Sequence, residues 1–168
     1  GIVTTHDITR YVAEKGDASL KIRDHLDREV AVSSPQHSIN HIIKLMVSSP
    51  SKRVIVLDAE GLPIGIITPS NLAFVKFGVE KKFTYLRSEG GRYEPTHRRT
   101  TFLGIAQAVD VMSSPVYIAH EKDRVVDEAK TMVYHKVGGL PVLNAKSVLV
   151  GIFSKREVLK IVAEYIPA

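Results

Sequence analysis

The string Gly65-Ile66-Ile67-Thr68-Pro69-Ser70-Asn71 recurs as Gly151-Ile152-Phe153-Ser154-Lys155-Arg156-Glu157. A chain that repeats itself must pack like units against each other, which narrows the possible folds more than any other feature. The offset is 86 residues and holds backwards without a gap. Asn40–Val47 falls on Val126–Val133, with identities at Lys44/Lys130, Met46/Met132 and Val47/Val133. Val56-Leu57-Asp58-Ala59 falls on Val142-Leu143-Asn144-Ala145, and Val30 on Val116. A third copy, Gly1-Ile2-Val3-Thr4-Thr5-His6-Asp7, stands 64 residues before the middle one. The chain therefore reads as the tail of a truncated repeat (1–15), a whole repeat (16–78), a basic connector (79–100) and a second whole repeat (101–168). It is expected to be a fragment of a longer, multi-repeat protein.

Within each whole repeat the pattern predicts strand, helix, strand, strand, helix. Val30-Ala31-Val32 and Val116-Tyr117-Ile118 read as short first strands. Ile39, Ile42, Ile43, Met46 and Val47 share one helical face, as do Val125, Val126, Ala129, Met132 and Val133. Second strands are expected at Arg53–Leu57 and Leu140–Leu143, followed by turns and third strands that run into the glycine string. The last helices place Leu72 and Val75, or Val158, Ile161 and Val162, inward. One such unit of about 60 residues buries too little apolar surface to be comfortably stable alone. The expected class is α+β, with the two repeats packed about a pseudo-twofold axis. Which repeats pair is left open by the spacers on either side.

Composition removes several function classes. There is no cysteine, which excludes a disulfide scaffold, a zinc ribbon and a thiol nucleophile. No apolar run approaches the roughly 18–20 residues that span a bilayer, so no membrane partner and a cytoplasmic location are expected. No nucleophile–base–acid set, P-loop or G-x-G-x-x-G occurs, so neither catalytic residues nor an enzyme activity is expected. The net charge of +5 favours anionic partners without choosing among them.

In each copy of the glycine string a strand ends at a hydroxyl residue (Thr4, Thr68, Ser154) and a helix begins at once. Pro69 at a first helical position and Glu157 three residues after Ser154 mark those hydroxyls as N-caps. A capping box alone, worth about 1 kcal/mol, accounts for the pattern. The competing reading is that free N–H groups and a hydroxyl are offered to a phosphate.

Taken together, these motifs resemble cystathionine-β-synthase (CBS) domains. The residues that carry the likeness are Asp110-Val111-Met112, Val116-Tyr117-Ile118, Gly139-Leu140-Pro141-Val142-Leu143 and Gly151-Ile152-Phe153-Ser154. In the middle repeat they are Val30-Ala31-Val32, Arg53–Asp58 and Gly65-Ile66-Ile67-Thr68. The resemblance implies a Bateman module whose clefts take AMP, ADP, ATP or S-adenosylmethionine and which regulates an attached or partner protein, often as a homodimer. By position, it places adenine against Val30 and Val32, or Val116 and Ile118. The second strands supply Arg53 and Val54, or Gly138, Gly139, Leu140 and Pro141. Thr68 or Ser154 approaches ribose or phosphate, and Asn71 or Glu157 holds the ribose. Only the truncated copy has the family's Asp, in Thr4…Asp7. Asn71 bonds without charge assistance, roughly half as strongly. Of the two whole repeats the last is the preferred site, because Gly138-Gly139 admits a ligand close to the backbone.

Two alternatives come from other function classes: a ligand-free module for dimerisation or partner docking, and nucleic-acid binding through the connector. The connector holds Arg92, His97, Arg98 and Arg99 with Tyr93, but Glu80, Glu89 and Glu94 dilute its charge, so nucleic acid is the disfavoured partner. His37 and His41 have a zinc-compatible spacing but no third ligand, and no metal is expected. His135 and Lys136 precede the Val137-Gly138-Gly139 strand and could meet a phosphate, but a solvated loop is the preferred reading.

Overall fold

A computed structural model describes residues 1–73, 84–87, 93–96 and 106–165. The chain opens with α1 (Thr5–Lys15) and a 3-10 turn at Ile22–Asp24. The first whole repeat then runs β1 (Ala31–Ser33), α2 (Ile39–Ser48), β2 (Val54–Leu57), β3 (Pro63–Ile67) and α3 (Pro69–Ala73). A hairpin, β4 (Thr84–Arg87) and β5 (Tyr93–Thr96), and the short α4 (Ala108–Val111) lead to the second repeat. That repeat runs β6 (Ala119–His120), α5 (Val125–Tyr134), β7 (Gly139–Leu143), β8 (Leu149–Ser154) and α6 (Lys155–Tyr165).

Each repeat forms its own three-stranded sheet, ordered β1-β2-β3 and β6-β7-β8, with one parallel and one antiparallel pairing. The register repeats along with the sequence. Ser33 pairs with Val56 and Ala119 with Val142, and the same bulge follows Val56 and Val142. The first strand of the second repeat sits later than its β-branched run predicts. Tyr117 stacks on His135 with ring centroids 3.8 Å apart, and pairing begins only at Ala119. Within the connector, to which the sequence reading assigns no elements, β4 and β5 pair antiparallel from Thr84↔Thr96 to Arg87↔Tyr93. Strand formers flanking Gly90-Gly91 are a hairpin signal.

What joins the repeats is an exchange of the segments that precede their first strands. Asp27, ahead of β1, pairs with Ile152 on β8, with bonds of 2.9 and 2.8 Å in the two directions. Its equivalent Ser113 pairs with Ile66 on β3, at 2.9 and 3.2 Å. Further out, the Ile22 N–H donates to Asp123 O and the Ala108 N–H to His37 O; the Val125 N–H donates to Leu20 O and the Ile39 N–H to Ala106 O. Each bond has its counterpart at the 86-residue offset, so the pseudo-twofold axis is visible in the backbone itself. The two whole repeats pair with each other.

The cores follow the same exchange. Val12, Ala13 and Ile22 are buried with Ala129, Met132, Leu140, Phe153 and Val158 of the second repeat. Ala108 is buried with Ile42, Met46, Val54 and Ile67 of the first. Neither repeat closes its core from its own residues, as expected for units of this size. Of the helical faces read from the sequence, Ile39, Ile42 and Met46, and Val125, Val126, Ala129 and Met132, are buried, but Val47 is 69% exposed. Val158 and Ile161 are buried on α6, whereas Val75 lies outside the described residues.

One charge works against this packing. On the first turn of α5, burial together with the Asp123 and Asp127 carboxylates pushes Glu128 up to about 7 from 4.5. The folded state therefore prefers the protonated acid. That stabilisation is complete below pH 4.5 and is lost as pH rises through about 7. Glu128→Gln is expected to raise the melting temperature by about 2–4 °C at pH 8 and to leave it unchanged near pH 4, as read by thermal denaturation at both pH values.

Candidate functional site

Where the sheets meet, a cavity of about 560 Å³ opens between the repeats. The first repeat supplies Ser51, Lys52, Arg53, Ile66, Thr68, Pro69 and Ser70; Ser113 and residues 136–139 line the other side. Residues 51–53 and 137–139 are the same stretch of the repeat at the 86-residue offset. The entrances to β2 and β7 therefore face each other near the axis, a convergence neither repeat could build alone.

Arg53 is the central side chain of this wall. Its Nη1 donates to Ser51 O at 3.1 Å and its Nη2 crosses to Gly138 O at 3.4 Å, while Nε is buried without a partner. Burial lowers the Arg53 guanidinium pKa, the Glu157 carboxylate pulls it back up, and Arg156 lowers it again. Burial and Arg53 also lower that of the Lys155 ammonium. Guanidinium remains charged at any working pH, so the wall presents a fixed cation. Lys136 adds a second, exposed one. Lys52 also lines the cavity, but its ammonium donates to Val47 O at 2.7 Å. No carboxylate lines the cavity among the described residues.

The backbone at this mouth is strained. Lys52 and Lys136 hold φ of 53° and 56°, a left-handed conformation that costs a residue with a Cβ roughly 1–2 kcal/mol. Glycine would adopt it freely, yet lysine stands at both places. Gly138, by contrast, meets only the far end of Arg53 at 3.5 Å, leaving its backbone open to the cavity.

Only the first copy closes the full reciprocal box, with the Asp7 N–H donating to Thr4 Oγ1 at 3.4 Å; in all three the residue three places on accepts from the N–H and hydroxyl of the Thr or Ser. The Thr4 N–H and hydroxyl donate to Asp7 at 3.0 and 2.6 Å, and those of Thr68 donate to Asn71 Oδ1 at 2.9 and 2.7 Å. The Ser154 N–H and hydroxyl donate to Glu157 Oε2 at 3.2 and 2.5 Å, and the Arg156 N–H donates to Ser154 Oγ at 3.3 Å. The residue three places on is thus engaged in every copy. Asn71 Nδ2 additionally donates to Ser113 Oγ at 2.9 Å, tying the first repeat to the lead-in of the second. The other Glu157 oxygen is buried and lies 3.4 Å from Lys160 Nζ, an ion pair not aligned as a hydrogen bond.

Of the residues singled out from the sequence, Arg53, Thr68, Gly138 and Gly139 converge on the cavity. Val54, Leu140 and Pro141 are buried one or two places along the same strands, with Val54 and Leu140 in the two cores. Val30 and Val116 are half-buried, Val32 and Ile118 are 45% and 38% exposed, and none of the four lines the cavity. Asn71 sits just behind Thr68; Ser154 and Glu157 are 1% and 3% exposed. Thr4 is exposed and Asp7 half-buried at the start of α1. Ser51, Ile66, Ser113 and Val137 were not singled out, although superposing the two second-strand entrances at the 86-residue offset points to positions 51 and 137.

The remaining candidates have local partners. Nδ1 of His37 lies 2.9 Å from Ser33 Oγ, and the ring packs edge-on to His41. His135 stacks on Tyr117 rather than facing the cavity. The connector's Arg92, His97, Arg98 and Arg99 lie outside the described residues. Among those described, no helix is long and apolar enough to cross a membrane.

Comparison with known proteins agrees with this architecture. The CBS domain family model matches residues 22–77 and 108–164. Protein MJ1225 of Methanocaldococcus jannaschii is 29% identical over 160 residues, which is 95% of this chain and 53% of that protein. MJ1404 of the same organism is 27% identical across 98% of this chain and 37% of its own length. The chain thus spans about half or less of these curated relatives. The crystal structure of MJ1225 superposes with a TM-score of 0.68 at 26% identity, covering 95% of this chain and 54% of that one. The CBS domain pair of protein MJ0100, in complex with 5′-methylthioadenosine and S-adenosylmethionine, superposes at 0.62 with 18% identity, over 87% of this chain and 98% of that one. CBSX2 in complex with AMP superposes at 0.63 with 16% identity, over 86% and 97%. With the family model matching both repeats and their lead-in segments exchanged across a pseudo-twofold axis, this chain belongs to the CBS domain family.

Proposed function

We propose that the chain is a regulatory module that binds an adenosine phosphate, AMP, ADP or ATP, in the cavity between its repeats. The carrying observation is the wall itself: Arg53 from one repeat and Lys136 with Gly138-Gly139 from the other enclose a space with no described carboxylate. The strained lysines support the same reading, because left-handed non-glycine residues gather where a function retains them. Adenosine ligands in the fold-related pairs MJ0100 and CBSX2 support the nucleoside part.

In this reading the phosphates meet Arg53 and Lys136, Thr68 approaches the ribose, and the base packs between Ile66 and Val137. The ligand bridges both repeats, so it favours the packing in which both walls contact it, and that differential affinity is the signal. A second copy of the chain and a regulated protein are the partners that would receive it.

The cations also set a preference. S-adenosylmethionine brings a sulfonium charge where a phosphate would sit, and like charges at contact distance disfavour it by several-fold at least. Calorimetric titration is expected to give saturable binding of AMP, ADP or ATP, weakened by added salt, with S-adenosylmethionine at least about tenfold weaker. Tighter binding of S-adenosylmethionine than of any phosphate would contradict the assignment.

A further inference from the structure

The two halves of the inter-repeat cleft are related by the 86-residue offset but differ in structure. In the first half Arg53 and Thr68 are unpaired: the β2–β3 ladder begins one step later, at Val54↔Ile67. In the second half their equivalents Gly139 and Ser154 are paired, and the ladder is one step longer. Pro69 has no N–H to give, whereas its equivalent Lys155 donates its N–H to Gly138 O at 3.2 Å. Ser70 lines the open cavity; its equivalent Arg156 spans the cleft and donates Nη1 to Pro50 O at 2.8 Å. Lys155 Nζ lies 3.3 Å from His6 Nδ1 on α1. Ser154 and Glu157 lie buried behind these contacts, and a Cβ on Gly139 would meet that of Ser154 at 2.9 Å.

We infer that the pair takes one nucleotide, in the Thr68 half, and that Arg156 with Lys155 is a built-in plug that keeps the Ser154 half shut. This rests on the nucleotide reading above and adds which half is used, how many ligands bind and which side chains decide it. The Arg156 guanidinium is tied to the Pro50 carbonyl of the opposite repeat, so its side chain is held across the space a ligand would need in the second half. Arg53 lies between the halves, near Glu157 on one side and open to the cavity on the other.

The test exchanges the deciding residues. With AMP as probe and protein well above the dissociation constant, calorimetry is expected to count one site per wild-type chain. Ser70→Arg grafts the plug onto the open half at an exposed position and is expected to weaken AMP at least tenfold. Lys155→Pro with Arg156→Ser grafts the open half onto the closed one and is expected to raise the count to two. Two sites in the wild type overturn the inference, as does Ser70→Arg binding AMP more tightly, since the added arginine would then be reading phosphate. A count still at one in a double variant that melts cooperatively also overturns it. Absence of any binding to the wild type overturns the nucleotide reading instead and takes the inference with it.

Discussion

Gly151→Ala is expected to destabilise the chain by about 3 kcal/mol, and Gly65→Ala by nearer 1 kcal/mol, although the two glycines are equivalent in the repeat. Both stand where the lead-in segment of the other repeat crosses the third strand. A Cβ at Gly151 would sit 2.5 Å from Asp27 O and closer still to the Leu26 side chain. Asp27 cannot withdraw, because its backbone exchanges two hydrogen bonds with Ile152. At Gly65 the atoms in the way all belong to the Met112 side chain, whose thioether can swing aside. Urea unfolding with an unchanged m-value measures both costs. Equal and small effects at the two positions would mean that the crossing is not tight.

Arg53→Ala is expected to weaken AMP binding by about 10–100-fold, the scale of one charge-assisted contact of roughly 1.5–3 kcal/mol. It is also expected to destabilise the unliganded chain, because Arg53 is a cation beside the buried Glu157 and bonds Gly138 O across the axis. Arg53→Lys separates these effects. It retains a charge but loses the planar fork, so stability recovers more than affinity does. Calorimetry for binding and thermal unfolding for stability, on all three proteins, read the split. Unchanged affinity in Arg53→Ala would remove Arg53 from the site.

The element order was legible in the sequence because the repeat displays each element twice. The strand–helix–strand–strand–helix order and most buried faces follow from apolar periodicity alone. The exchange of lead-in segments was not, since Asp27–Ile152 and Ser113–Ile66 are long-range pairings with no local signature. In the sequence the recurring string supports two readings, a helix cap and a phosphate contact from its hydroxyl. In the structure Gly65 and Gly151 are crossing points, and the hydroxyls three places on donate to Asn71 and Glu157. The site was half legible for a stereochemical reason. Successive strand residues point to opposite faces, so Arg53 and Gly139 meet the cavity while their neighbours Val54 and Leu140 turn into the cores. Whole stretches chosen by motif therefore mix wall residues with core residues. That Val137 belongs to the wall follows from the symmetry axis rather than from its type.

Binding of a nucleotide between the repeats can be followed residue by residue through the backbone amide resonances while AMP is added. Saturable shifts are expected at Arg53, Thr68, Gly138 and Gly139, with Thr4, Asp7 and the exposed β1 residue Val32 unmoved. Saturable shifts centred on Thr4, Asp7 or Val32, or no shifts at millimolar AMP, would contradict it.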